Sequence, residues 1–102
     1  MFKLQPNPTF WAKVEIPVPG NDPMPLEVEF RHKRREEARV FAEALPSRPA
    51  LESLREIVAG WRGADREFSD SALAELHDNY VAAADRILGA YFDELRGARR
   101  KN

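Results

Sequence analysis

The sequence contains no cysteine and two histidines. The first absence excludes a disulfide framework, a thiolate nucleophile and a cysteine-type zinc site. His32 and His77 stand far apart in the chain and outside any H-E-x-x-H or H-x-x-E-H spacing, so an ordinary structural role is expected for both. There is no G-x-G-x-x-G, no P-loop and no G-x-S-x-G elbow. The stretch DREFSD lacks the glycine and the closing glutamate of a calcium loop. No apolar run approaches the ~20 residues of a membrane span. The opening MFKLQPNPTF carries one lysine and no apolar core, so no signal peptide is expected. Net charge is also scarce, at −1. That balance speaks against a general nucleic-acid binder, whose domain is strongly basic.

At 102 residues the chain fits one domain, expected to span residues 1–102. A domain of this length buries roughly 60–70% of the surface its unfolded chain exposes, so it needs no metal or cross-link to fold. Residues 1–9 read as an N-terminal arm and residues 98–102 as a basic tail.

FWAKVEIPV alternates, with Phe10, Ala12, Val14, Ile16 and Val18 on one side and Trp11, Lys13 and Glu15 on the other. LEVEF does the same after the turn-rich PVPGNDPMP. Period two on both sides of a proline-glycine turn predicts a β-hairpin with one apolar face. Such a hairpin is marginal alone and needs a cover. Helical spacing supplies one. Val40, Phe41, Ala44 and Leu45 mark a first helix stopped by Pro46. Leu51, Leu54, Ile57, Val58 and Trp61 mark a second, expected to run through Trp61 after Pro49. A loop surrounds Gly63. A third helix starts at the N-cap Ser69, with Phe68 and Leu73 as its staple. A fourth carries Ala84, Ile87, Leu88, Tyr91, Phe92 and Leu95 and ends at Gly97. The expected fold is α+β, an N-terminal β-hairpin followed by a mainly helical domain of about four helices.

Two features stand out as candidate partner-binding sites. Trp11 sits on the polar side of the first strand, where an aromatic serves as an interface anchor. Arg31, Lys33, Arg34 and Arg35 crowd the junction between strand and helix, and cations at a helix N-terminus oppose its dipole at a cost of ~0.3–1 kcal/mol each. Phe2 and Leu4 suggest an arm that orders on a partner. The polar-face carboxylates form no catalytic pattern, so neither an enzyme nor a cofactor is expected. A small nucleic-acid-binding accessory protein, using the run at residues 31–35 and the cations of residues 96–101, is the alternative. Its binding would fade steeply with salt, and none is expected at physiological salt.

NPTFWAKVEIPVPG, the V-E-F strand leading into a basic stretch, EIVAGW, EFSDSALAEL, DNY and AYFDELRGARRKN follow one another over nearly the whole chain. In that order they resemble the tail assembly chaperones of long-tailed bacteriophages and prophages. Val81 departs from the family pattern, which has proline after Asn-Tyr. The resemblance implies a non-enzymatic assembly factor that binds the tape measure protein and promotes assembly of the tail tube. It implies action in the host cytoplasm and absence from the mature virion. It also implies a longer frameshifted form that recruits the tail tube protein. Trp11, the basic run and the tail residues Arg99, Arg100 and Lys101 are the expected partner contacts, for client or for self-association. No membrane partner is expected.

The closing Arg-Lys-Asn bears on the frameshift, because lysine and asparagine codons permit the slippery run A-AAA-AAC at residues 100–102. If the gene frameshifts there, its nucleotide sequence carries that heptamer followed by an open −1 frame. A different nucleotide run, or a closed frame, removes the explanation.

Overall fold

A computed structural model describes residues 1–97. Two antiparallel strands, β1 (Thr9–Ile16) and β2 (Met24–Arg31), form the expected hairpin. Val14 pairs with Leu26, Ala12 with Val28 and Phe10 with Phe30, which puts every apolar position of the alternation on one face. The connection turns tightly at its start. Asn21 N–H donates to Val18 O at 3.0 Å, and Gly20 has φ 80°, with Pro19 before it. Proline followed by glycine with positive φ is the signature of a type II turn.

Helix α1 (Arg35–Ala44) passes through a short 3₁₀ turn (Leu45–Ser47) into α2 (Ala50–Ile57). The chain then departs from the expectation. In place of a helix running through Trp61, α2 stops at Ile57 and β3 (Val58–Arg62) pairs antiparallel with β2, giving a sheet of order β1-β2-β3. The cause is tertiary. Without β3, the outer edge of β2 would leave a row of backbone groups unpaired beside the core. Val58 and Trp61 suit a pleated surface, and Gly60 is a poor helix former. Gly60 pairs with Glu29, whose side chain comes close enough that an added Cβ would lie 3.2 Å from its Oε1.

Helix α3 (Asp70–Asn79) begins as its sequence predicts, with Ala72 N–H donating to Ser69 Oγ at 3.0 Å. Helix α4 (Ala83–Arg96) ends at Gly97 in the left-handed conformation. The break between α3 and α4 forms without a proline, because Tyr80 is extended at φ −124° and Ala83 N–H bonds back to Tyr80 O. The expectation for Val40 does not hold, for it is exposed on α1 while Phe41 carries that helix into the core.

The core lies between the apolar face of the sheet and the helices. Tyr91 is its centre, with rings of Phe30 at 5.1 Å, Phe10 and Phe41 at 6.0 Å and Phe92 at 5.6 Å. Tyr91 keeps its hydroxyl satisfied by donating to Arg31 O at 2.8 Å. Burial and the carboxylates of Glu56 and Glu37 push its phenol far above the ordinary value, so it stays a neutral donor. Arg31 in turn reaches across to the end of α2. Its Nη1 donates to the carbonyls of Arg55 and Val58 at 3.0 Å and of Glu56 at 3.3 Å. These are carbonyls released where helix turns into strand.

Replacing Arg31 with alanine is therefore expected to cost about 1–3 kcal/mol in urea unfolding, and Tyr91→Phe about 1 kcal/mol. Midpoints unchanged from wild type in both variants would show that the connection contributes nothing.

Candidate functional site

The basic run divides into two pairs. Arg31 is committed to α2, as described. Lys33 Nζ pairs with Glu56 Oε2 at 2.6 Å and lies over the Phe41 ring at 5.4 Å from its centroid. Arg48 joins the same carboxylate at 2.9 Å and bonds Glu52 O as well. Two cations, the Lys33 ammonium first, hold the Glu56 carboxyl below the usual carboxylate range. The remaining pair behaves differently. Arg34 and Arg35 extend from the N-terminus of α1, both exposed. Glu37 accepts from the Arg34 N–H at 2.8 Å, while the Arg34 side chain has no acceptor to offer the N–H groups of the first turn. The tail calls on Arg99, Arg100 and Lys101 lie outside the described residues.

Trp11 is on the outer face of the sheet, opposite Glu29 and 39% exposed. Neither a helix nor the arm covers it. The Arg62 guanidinium does, 4.2 Å above the indole ring, while pairing with Glu27 on the neighbouring strand. A stacked guanidinium of this kind is worth about 0.5–1 kcal/mol at an exposed site. Lys13 pairs with Glu15, and Thr9 bonds Glu29, so the outer face is a set of matched charges around one aromatic.

The structure also shows a site the sequence reading missed. At the hairpin-tip end of the sheet, an open cleft of about 620 Å³ runs between the strands, the loop after β3 and helix α3. Ile16, Met24, Leu26, Trp61, Leu76 and Tyr80 make its apolar lining. Asp65, Arg66 and Glu75 stand on its rim, with Arg66 and Glu75 paired at 3.0 Å. Trp61 is held by Phe68, T-shaped at 5.1 Å, and donates its Nε1–H to Arg66 O at 2.9 Å. Met24, 60% exposed, adds a large apolar side chain to that lining. The signal was available in Val18 and Met24, two apolar residues inside a proline-rich turn. What the sequence did not reveal was that β3 brings Trp61 beside them.

His32 follows β2 and His77 lies in α3, and no cluster of metal-ligating side chains occurs among the described residues. None of the described helices is long and apolar enough to cross a membrane. The arrangement offers surfaces that can hold another polypeptide: an apolar cleft with a charged rim, and an aromatic amid paired charges. The architecture is that of a small α+β domain with a three-stranded sheet. A family model for phage tail assembly chaperones matches residues 1–102, the whole chain, and the protein belongs to that family. No curated protein and no solved structure matches it.

Glu56 gives this region a pH dependence. Its folded-state pKa is depressed, so the stabilisation is complete above the ordinary glutamate value of 4.5 and is lost as pH falls through the lower folded value. Urea midpoints of wild type should therefore fall more steeply below about pH 4.5 than those of Glu56→Gln. Parallel profiles for the two proteins would contradict the assignment.

Proposed function

We propose that this chaperone binds the tape measure protein and holds an apolar face of that helical client in the cleft while tube subunits assemble around it. The observation that carries the reading is the cleft itself, within a chain matched throughout by the tail assembly chaperone family. An amphipathic helix presents apolar side chains at i, i+3, i+4 and i+7, and a groove with charges at its rim is its usual receptor. Ile16, Leu26 and Leu76 supply the apolar surface, and Asp65, Arg66 and Glu75 meet the flanking polar residues. Trp11, Arg34 and Arg35 extend the contact on other faces of the molecule. Arg31 and Lys33 act from within by fixing α2 and β3. Arg99, Arg100 and Lys101 add three further cations to the contact.

In this reading the protein works by binding, without chemistry or cofactor, in the host cytoplasm, and leaves before the virion is complete. A longer frameshifted form brings the tail tube protein to the complex.

Co-expression with the tape measure protein tests it. Met24→Glu places a charge in the cleft at an exposed position and is expected to lower co-purification at least about tenfold. Trp11→Ala combined with Arg34→Glu is expected to weaken recovery to a smaller extent, with circular dichroism unchanged in both variants. Full recovery of the tape measure with Met24→Glu would overturn the proposal.

A further inference from the structure

The N-terminal arm carries Phe2 at 87% and Leu4 at 93% exposure, two large apolar side chains with no cover in their own molecule. In an extended segment they fall on one side, with Lys3 between them on the other. The cleft offers the complementary surface, an apolar floor beneath a rim carboxylate. Asp65 has no partner among the described residues, and Glu75 shares its charge with Arg66.

The arm does not fill its own cleft in the structure, where Phe2 and Leu4 stand exposed. His32 N–H donates to Pro8 O at 2.9 Å, which pins the root of the arm where β1 begins. The far part of the cleft, at Ile16, Val18 and Met24, lies beyond the full length of β1, about 26 Å from Pro8 at ~3.3 Å per residue. The six residues back from Pro8 to Phe2 span at most roughly 20–22 Å when fully extended. The arm is shorter than that limit, because Lys3 Nζ bonds Asn7 Oδ1 at 2.7 Å and draws it together.

We propose that the cleft receives Phe2 and Leu4 from the N-terminal arm of a second copy of this chain, so that copies associate head to tail. Lys3 of the incoming arm exchanges its bond to Asn7 for the Asp65 carboxylate as the arm extends. The contact is heterologous, since the arm of one copy meets the cleft of the next, and it continues through further copies unless the rotation closes a ring. It rests on the cleft being a docking groove, as proposed above, but not on the identity of the client. Arm and client then compete for one surface, and the free chaperone keeps its apolar cleft covered until a client displaces the arm.

Sedimentation of the full chain, alone, from about 1 µM to 1 mM, gives the test. Wild type is expected to associate with rising concentration. The arm variant Phe2→Ser with Leu4→Ser and the cleft variant Met24→Glu should each weaken association at least about tenfold. Both alter exposed side chains, and circular dichroism verifies that each is folded. Mixing them is the decisive step: one keeps the cleft and the other the arm, so they should form a one-to-one pair that grows no further. A free peptide of residues 1–8 should dissolve the wild-type assembly. A wild type that stays monomeric throughout, an arm variant that associates like wild type, or a mixture that forms no pair overturns the proposal. None of these outcomes involves the tape measure protein. The arm variant should still recover that client in full, which separates failure of arm exchange from failure of the cleft as a client site.

Discussion

The fold turns on one guanidinium. Arg31 ends β2, and from there it takes up three carbonyls at the point where α2 becomes β3. A helix that stops inside a compact domain leaves carbonyls without partners, each costly if buried. By accepting the change of direction there, Arg31 allows the chain to return along the free edge of β2. Its own carbonyl receives the Tyr91 hydroxyl, so the centre of the aromatic core and the helix-to-strand switch are joined through a single residue. Lys33 and Arg48 then clamp Glu56 from the same helix. Much of the conspicuous basic run is thus an internal fastening for α2.

This changes the weight of the charge pattern. A cluster of cations on a neutral protein suggests a polyanion, and the counterion release that drives such binding requires cations free to face phosphates. Arg31 and Lys33 are already bound to carbonyls and to Glu56. Arg62 and Arg66 are paired with glutamates as well. The nucleic-acid reading finds no support in the structure or in the family match. Exposed pairs of this kind add little stability, on the order of 0.2–1 kcal/mol each. Their effect is to leave a surface of low net charge on which a few apolar residues stand exposed.

The third strand has the larger functional consequence. It makes a two-stranded hairpin into a sheet wide enough to border a cleft, and it carries Trp61 to the side of Leu26 and Met24. Helix α4 covers the β1 side of the apolar face, through Tyr91 against Phe10 and Phe30. Helix α3, shorter and offset, lines the other end without closing it. Cover at one end and a gap at the other is what an open, apolar binding groove requires.

By itself the sequence determined the local elements, because their signals lie within a few residues of each other. Alternation over Phe10 to Ile16 and Leu26 to Phe30 specified the hairpin and its apolar face. Ser69 specified the start of α3, and Gly97 the end of α4. Residue order over the whole chain was enough to place it among the tail assembly chaperones. Trp11 was legible as an aromatic on a polar face, though not its cover by Arg62, which comes from a strand the helical periodicity of Leu54, Ile57, Val58 and Trp61 had concealed. Only the tertiary structure decided that Val58–Arg62 is a strand. That choice depends on an unpaired edge of β2 and on a guanidinium 27 residues before Val58, and neither acts locally. The cleft followed from the same decision, since its walls come from two separate stretches, residues 16–26 and 61–80, which meet once the sheet has its third member.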